Sequence, residues 1–333
     1  MSLPPEFQGG LPLIEDALRR ALADGPGDLV RMSRYVMGWE DADGRAAAGG
    51  GKRLRPLMCL EVAAAAGAAP EQALPGATAV ELVHNFSLVH DDIQDGDALR
   101  HGRPTAWRIV GAPQAINLGN FLYTRGLRQL ADSRLPGAPL ALAILFEAVE
   151  RMVAGQWADI AFEARDDVTE QEYLAMVEGK TGALLGAAAG IGAALAGAPR
   201  ETVERFRAWG ERLGLAFQVQ DDYLGAWGDA AATGKSTSSD ITRRKKTLPV
   251  VFALASGRSR DALRTLYRDA PASDGDTARV LELLEESGAR EHTRALARRF
   301  SAEADALLTD IAIAEGARER LRAFARFIAE RDR

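Results

Sequence analysis

An all-α protein is what this sequence predicts, on three observations. Alanine makes up nearly a fifth of the 333 residues, and it is the strongest helix former. Apolar residues recur at three-and-four spacing along most of the chain. No run of alternating Val, Ile and Thr demands a strand.

The elements follow in order. Leu11, Ile14, Leu18 and Leu22 form the first stripe, and Leu82, Val83, Phe86 and Val89 form the next clear one. The run from Ala183 to Ala198 is almost wholly Ala, Gly and Leu and reads as a tightly packed interior helix. Leu321, Phe324, Phe327 and Ile328 make the last stripe. Breaks fall at Gly25-Pro26-Gly27, Gly49-Gly50-Gly51, Ala69-Pro70, Pro136 to Pro139 and Ala198-Pro199, which predicts helices of about 15–25 residues. Gly228 to Ser239 and Pro271 to Asp276 read as loops. No linker is long or biased enough to separate domains, so one domain is expected over residues 1–333, with its motif core about 50–250.

Charge and composition narrow the function. Lys plus Arg is 41 and Asp plus Glu is 47, a net charge of −6. That balance gives no basic footprint for nucleic acid. The longest apolar run falls short of the ~20 residues that a membrane span needs. The opening segment lacks the basic-then-apolar pattern of a secretory signal. The lone Cys59, in an apolar run, cannot form an internal disulfide and reads as a buried thiol. A cytoplasmic protein is expected.

Two acidic motifs carry the chemistry. His90-Asp91-Asp92-Ile93-Gln94-Asp95 ends an amphipathic helix, with Asp91 and Asp95 on one face. A solvated acidic helix end is the bland reading, and the macrodipole disfavours it, because acids are unfavourable at a helix C-terminus. Hard oxygen donors this close select Mg²⁺, which also takes substrate phosphates. The segment Phe217-Gln218-Val219-Gln220-Asp221-Asp222, with Asp229 beyond, has the same form. Cationic groups lie between and around the two: Lys52-Arg53-Leu54-Arg55, Arg100-His101-Gly102-Arg103, Lys180, Lys235 and Arg243 to Lys246. One basic run is usually a solvated face. Five of them interleaved with two acidic motifs point to polyphosphate recognition.

The ordered set GGKRLRP, DDIQD with RHGRPT, GQWAD, KT, FQVQDD, GK and KKT resembles the trans-isoprenyl diphosphate synthases, or polyprenyl synthetases, from about Gly50 to Pro249. The resemblance implies an isoprenoid synthase helical bundle around a central cavity, usually a homodimer. It implies condensation of isopentenyl diphosphate, head to tail, with an allylic diphosphate (dimethylallyl, geranyl or farnesyl). About three Mg²⁺ per site are implied, on Asp91, Asp95 and Asp221, with Asp92 and Asp222 among the catalytic carboxylates. Arg100, Lys180, Lys235 and Lys245 are implied to hold the allylic diphosphate. Lys52, Arg55, His84 and His101 are implied to hold isopentenyl diphosphate. Thr181 and Gln218 would face the carbocation.

Three positions depart from the family pattern. His101 stands where a second arginine is common, Gly225 where a third aspartate is common, and Asn120 where an aspartate is more usual. Chain length in the family is set four and five residues before the first aspartate, here Ser87 and Phe86. A single aromatic with no insertion in DDIQD implies a short product, geranylgeranyl diphosphate, with farnesyl diphosphate or a longer chain as alternatives. A terpene cyclase shares the aspartate motif but needs no second diphosphate site. A silent subunit of a heteromeric synthase tends to lose the first motif, which this chain keeps. A di-iron bundle wants Glu-x-x-His on two of its helices, and only Glu81-Leu82-Val83-His84 has that spacing here.

Overall fold

The computed structural model describes residues 3–47, 51–228, 241, 244–255, 259–268 and 274–329. Its helices are α1 (Pro5–Gln8), α2 (Leu11–Ala21), α3 (Gly27–Val36) and α4 (Leu54–Ala65). A 3-10 turn (Pro70–Ala73) leads into α5 (Leu74–Gln94). A minimal hairpin follows, β1 (Leu99–Arg100) paired antiparallel with β2 (Arg103–Pro104). Then come α6 (Ala106–Val110), α7 (Ala112–Ala131), α8 (Ala138–Glu163) and α9 (Glu170–Val177). A π-helical turn (Glu178–Gly182) joins α9 to α10 (Ala183–Leu195), and α11 (Arg200–Trp227) follows. The remaining elements are α12 (Leu248–Ala255), α13 (Arg260–Arg268), α14 (Asp274–Glu286), α15 (Ala289–Thr309) and α16 (Glu315–Ala329).

The all-α expectation holds, with three corrections of detail. Helices run from 4 to 28 residues rather than 15–25. In α11 the glycines at 210 and 214 do not break the helix, because the neighbouring backbone lies too close for a side chain. The hairpin was not foreseen, since two-residue strands carry no alternation. The expected loop at Pro271–Asp276 gives way to α14 from Asp274, whose first turn favours the acid Asp276. The other expected loop, beyond Gly228, lies outside the described residues.

The chain forms two compact units. One comprises Leu3–Phe146 and Ala187–Phe206. Here α5 packs against α7, α4 and α2. Its stripe runs through Leu82, Val83 and Val89, and full burial of a leucine such as Leu82 contributes about 1.5–3 kcal/mol. Gly119 lets α7 lie close to α5: a methyl there would come within 2.2 Å of His90 Nε2. Cys59 is buried, and burial pushes its thiol far up, so it is inert as expected.

The other unit comprises Glu147–Gly186 and Arg207–Arg333. In it α12 packs against α15, α13, α14 and α9 around Val250, Leu254, Leu263, Leu283 and Leu284. His292 of α15 stacks on Phe252, with ring centroids 4.1 Å apart, and its Nε2 lies 2.6 Å from Glu170 Oε2 at the start of α9. Thr169 and Glu172 close a reciprocal capping box on α9. Among the described residues, no helix is long and apolar enough to cross a membrane.

Candidate functional site

The first acidic motif sits where its sequence requires, at the C-terminal end of α5. Pro75 starts the helix without losing a bond, because a first-turn N–H has no helical partner. At the far end the Asp95 N–H donates to Asp91 O at 2.8 Å, so the two half-buried aspartates stand one turn apart. Asp92 is buried instead. Arg100 grips its Oδ1 with Nε at 2.8 Å and Nη2 at 2.7 Å. Burial pushes the Asp92 carboxyl up, Arg100 opposes this, and the charges of Asp97 and Asp95 add to the rise.

Arg100 is delivered by the hairpin. His101 and Gly102 both have positive φ, 51° and 75°, as a two-residue turn between strands requires. Histidine tolerates that region better than most residues with a side chain. The segment is tied down by Thr105 Oγ1 and Trp107 Nε1, which donate to Asp97 O at 2.6 and 2.7 Å. Tyr35 OH donates to Pro104 O at 2.6 Å.

Lys52, Arg53 and Arg55 lead into α4. Lys52 is exposed, and Arg55 Nη1 donates to His84 Nε2 at 3.1 Å. A guanidinium has no lone pair to offer, so His84 Nε2 must accept, and the neutral ring carries its proton on Nδ1. Burial holds the His84 pKa well below its usual value, and Arg55, Arg100 and Arg53 push it further down. Between Lys52 and α4, Arg53 adopts a left-handed conformation, φ 51°, which costs about 1–2 kcal/mol for a residue with a side chain.

Further along α5, Phe86 sits on a small aromatic stack. Its ring centroid is 5.1 Å from Tyr123 of α7 and 5.0 Å from His90. Ser87 donates to His84 O at 2.8 Å.

The second motif lies in the other unit, two turns before the end of α11. A chain of hydrogen bonds links its polar residues. Thr181 Oγ1 donates to Gln218 Oε1 at 3.1 Å, and Gln218 Nε2 donates to Asp222 Oδ1 at 3.2 Å. The carboxylate can only accept, which fixes the orientation of the amide. Asp222 Oδ2 takes the Tyr173 hydroxyl and, at 3.1 Å, the backbone N–H of Leu248. Asp222 is therefore buried with both oxygens engaged, whereas Asp221 is half-buried.

Lys180 and Thr181 both belong to the π-helical turn, a feature common at functional sites. Lys180 Nζ pairs with Asp159 of α8. The approach is close: a methyl on Gly155 would come within 2.4 Å of Lys180 N. Lys245 is half-buried. Its neighbour Lys246 is buried, 3.4 Å from Asp166 and over the Tyr267 ring. Lys235 and Asp229 lie outside the described residues.

Sequence reasoning missed four partners. Asp159 was visible as the acid of GQWAD. Tyr173, Glu15 and Glu81 had no local signal, since each meets its partner across 28 to 49 positions of chain.

Residues 44–284 match the family model described as polyprenyl synthetase. The chain belongs to the polyprenyl synthetase family. A (2E,6E)-farnesyl diphosphate synthase of Mycobacterium tuberculosis is 42% identical over 303 residues, covering 89% of this chain and 84% of that protein. A geranylgeranyl diphosphate synthase of the same organism is 42% identical over 279 residues, covering 81% and 79%. The crystal structure of a polyprenyl synthetase from Streptomyces coelicolor superposes with a TM-score of 0.92 at 41% identity, covering 96% of this chain and 98% of that one. This polyprenyl synthetase is a trans-prenyltransferase of the short-chain type, as its ordered motifs predicted.

The family generally depends on Mg²⁺. Among the described residues, no three His, Cys, Asp or Glu side chains converge on a metal position. The donor set of the first motif nonetheless fits the ion. Asp91 and Asp95 are hard oxygen ligands one turn apart, and Mg²⁺ needs only one or two carboxylates when water and phosphate supply the rest.

Proposed function

We propose that the protein condenses isopentenyl diphosphate head to tail with an allylic diphosphate and releases geranylgeranyl diphosphate as its main product. One observation carries the reading. On α5, His84 is held neutral against Arg55, and two turns later come Asp91 and Asp95. The first group suits a diphosphate held by direct hydrogen bonds, the second a diphosphate bridged by metal. A cyclase, with one diphosphate to bind, has no use for the former.

In this reading Lys52, Arg55, His84 and His101 bind isopentenyl diphosphate. Arg100, Lys180, Lys235 and Lys245 bind the allylic diphosphate. Mg²⁺ on Asp91, Asp95 and Asp221 supplies Lewis-acid neutralisation of the leaving group. The C–O bond breaks with its electron pair passing to the diphosphate, which leaves an allylic cation. The π electrons of isopentenyl diphosphate then form the new carbon–carbon bond, and a proton leaves to the released pyrophosphate. Gln218 Oε1 and Thr181 Oγ1 present lone pairs to the cation. Lys180 exchanges Asp159 for phosphate oxygens, and preorganised positive charge of this kind stabilises the departing anion. Asp92 and Asp222 hold their motifs in place.

The ordered motifs support reading residues 1–333 as one polyprenyl synthetase domain. The protein works in the cytoplasm as a homodimer. Support for the dimer comes from α8, where Val153, Trp157 and Ile160 share a face and Trp157 is 80% exposed.

Phe86, backed by Tyr123 and His90, sets the floor of the chain-length pocket. The 42% identity to a farnesyl diphosphate synthase favours a fifteen-carbon product as the second reading. The test is incubation of purified protein with labelled isopentenyl diphosphate and dimethylallyl, geranyl or farnesyl diphosphate, followed by chromatography of the dephosphorylated products. A twenty-carbon alcohol is expected, and Phe86→Ala should lengthen it. No elongation by the protein alone, or a hydrocarbon made from one substrate, would sink the reading.

A further inference from the structure

The motif Gly51-Lys52-Arg53-Leu54-Arg55 contains one cation that the proposed chemistry leaves unused. Arg53 lies between two proposed diphosphate ligands, yet its side chain is 3% exposed. Its guanidinium is spent in three directions. Nε donates to Glu15 Oε1 of α2 at 2.7 Å, Nη1 to Glu81 Oε1 of α5 at 2.8 Å, and Nη2 to Met37 O at the end of α3 at 2.9 Å.

The acceptors are themselves held. Trp39 Nε1 donates to the other oxygen of Glu15 at 2.6 Å. Asn85 Nδ2 donates to Glu81 O at 2.8 Å and to Glu81 Oε1 at 3.2 Å. Burial pulls the Arg53 pKa down, but Glu81 and Glu15 more than offset it, so the cation is secure.

Two features make this more than a packing contact. Arg53 is in the left-handed region, so it sets the direction in which Lys52 leaves the start of α4 relative to Arg55. Glu81 stands three residues before His84 on the same helix, so the fork that fixes Arg53 also binds the helix that carries His84. Only a planar guanidinium can serve three acceptors at these angles; an ammonium is a point charge without the fork.

We propose that Arg53 is a positioning residue for isopentenyl diphosphate, holding Lys52, Arg55 and His84 in register for one diphosphate without touching it. The inference rests on the reading of Lys52, Arg55 and His84 as that site. It predicts selectivity between the two substrates, which a merely structural role does not.

The experiment compares Arg53→Lys, Glu15→Gln and Arg55→Gln with the unaltered protein. Steady-state assays give kcat and the KM for each substrate. Calorimetry with isopentenyl diphosphate alone, which cannot turn over without a primer, gives Kd. Arg53→Lys should raise both KM and Kd for isopentenyl diphosphate about tenfold, with kcat and the allylic KM within about threefold. Glu15→Gln should give a smaller rise of the same selectivity. Should Arg53→Lys fail to fold, Glu15→Gln decides: a selective rise supports the role and an unchanged KM overturns it. Equal weakening of both substrates, or none, in folded Arg53→Lys also overturns it. An unchanged KM in Arg55→Gln would instead sink the site reading on which the inference stands.

Discussion

At the end of α5, Asp92 is gripped by the guanidinium of Arg100; inside α11, Asp222 accepts from the neutral donors Tyr173 OH, Gln218 Nε2 and the Leu248 N–H. Both are the second aspartate of their motif and both are buried, but the solutions differ in kind. Arg100 cancels one charge, and the half-buried carboxylates of Asp91 and Asp95 stand beside it at the acid-averse end of a helix. Around Asp222 the donors include the first N–H of α12, where the helix dipole favours an anion. The first motif is thus built from charge and suits a cation from outside. The second is a joint, in which one carboxylate fastens α9, α11 and α12 together.

The sharpest way to break the comparison is to remove charge from the first motif. Asp91→Asn and Asp95→Asn should each lower kcat by about 10³-fold, the scale of losing one strong electrostatic contact in the transition state. Thermal melting of these variants should be unchanged or slightly raised, since two repelling carboxylates become one. A large loss of melting temperature would show that the pair has a structural role.

A smaller, opposite effect is expected at the joint. Tyr173→Phe removes a hydroxyl from a buried carboxylate and should cost about 1–3 kcal/mol in urea unfolding, with kcat down less than tenfold. A fall in kcat that matches the aspartate variants, without loss of stability, would erase the distinction.

The least effect belongs to Glu172, the residue before Tyr173. The Thr169 backbone N–H, Arg165 and the Thr169 hydroxyl hold its carboxyl at about 2, below the ordinary 4.5. A depressed carboxylate adds stability above its unfolded pKa and loses it as pH falls through the folded one. Glu172→Gln should therefore melt slightly lower than the unaltered protein above about pH 4.5. That gap should close as the pH falls towards 2, and melting curves across the range would show it; a gap independent of pH would remove the ionic contribution.

Much of this was legible in advance. The stripe of α5 and both aspartate pairs follow from local spacing, because helical neighbours are three or four residues apart. The cationic motifs were visible as residue types, and their order carried the family. What escaped was the side chain at the other end of each long-range bond. Nothing near Glu15 or Glu81 marks them as partners of Arg53, and nothing near Tyr173 points to Asp222, 49 residues on. The hairpin escaped because its signal is a single turn, His101-Gly102, rather than a periodicity.

The π-helical turn at Glu178–Gly182 has a practical consequence for anyone recombining these enzymes. It is one residue longer than an α-turn would be, and that extra residue rotates everything after it by about 100°. Lys180 therefore reaches Asp159 on α8 while its neighbour Thr181 reaches Gln218 on α11. Substitutions here change one side chain at a time. A single deletion would re-index the whole following helix, so chimeras should take residues 170 to 195 from one parent.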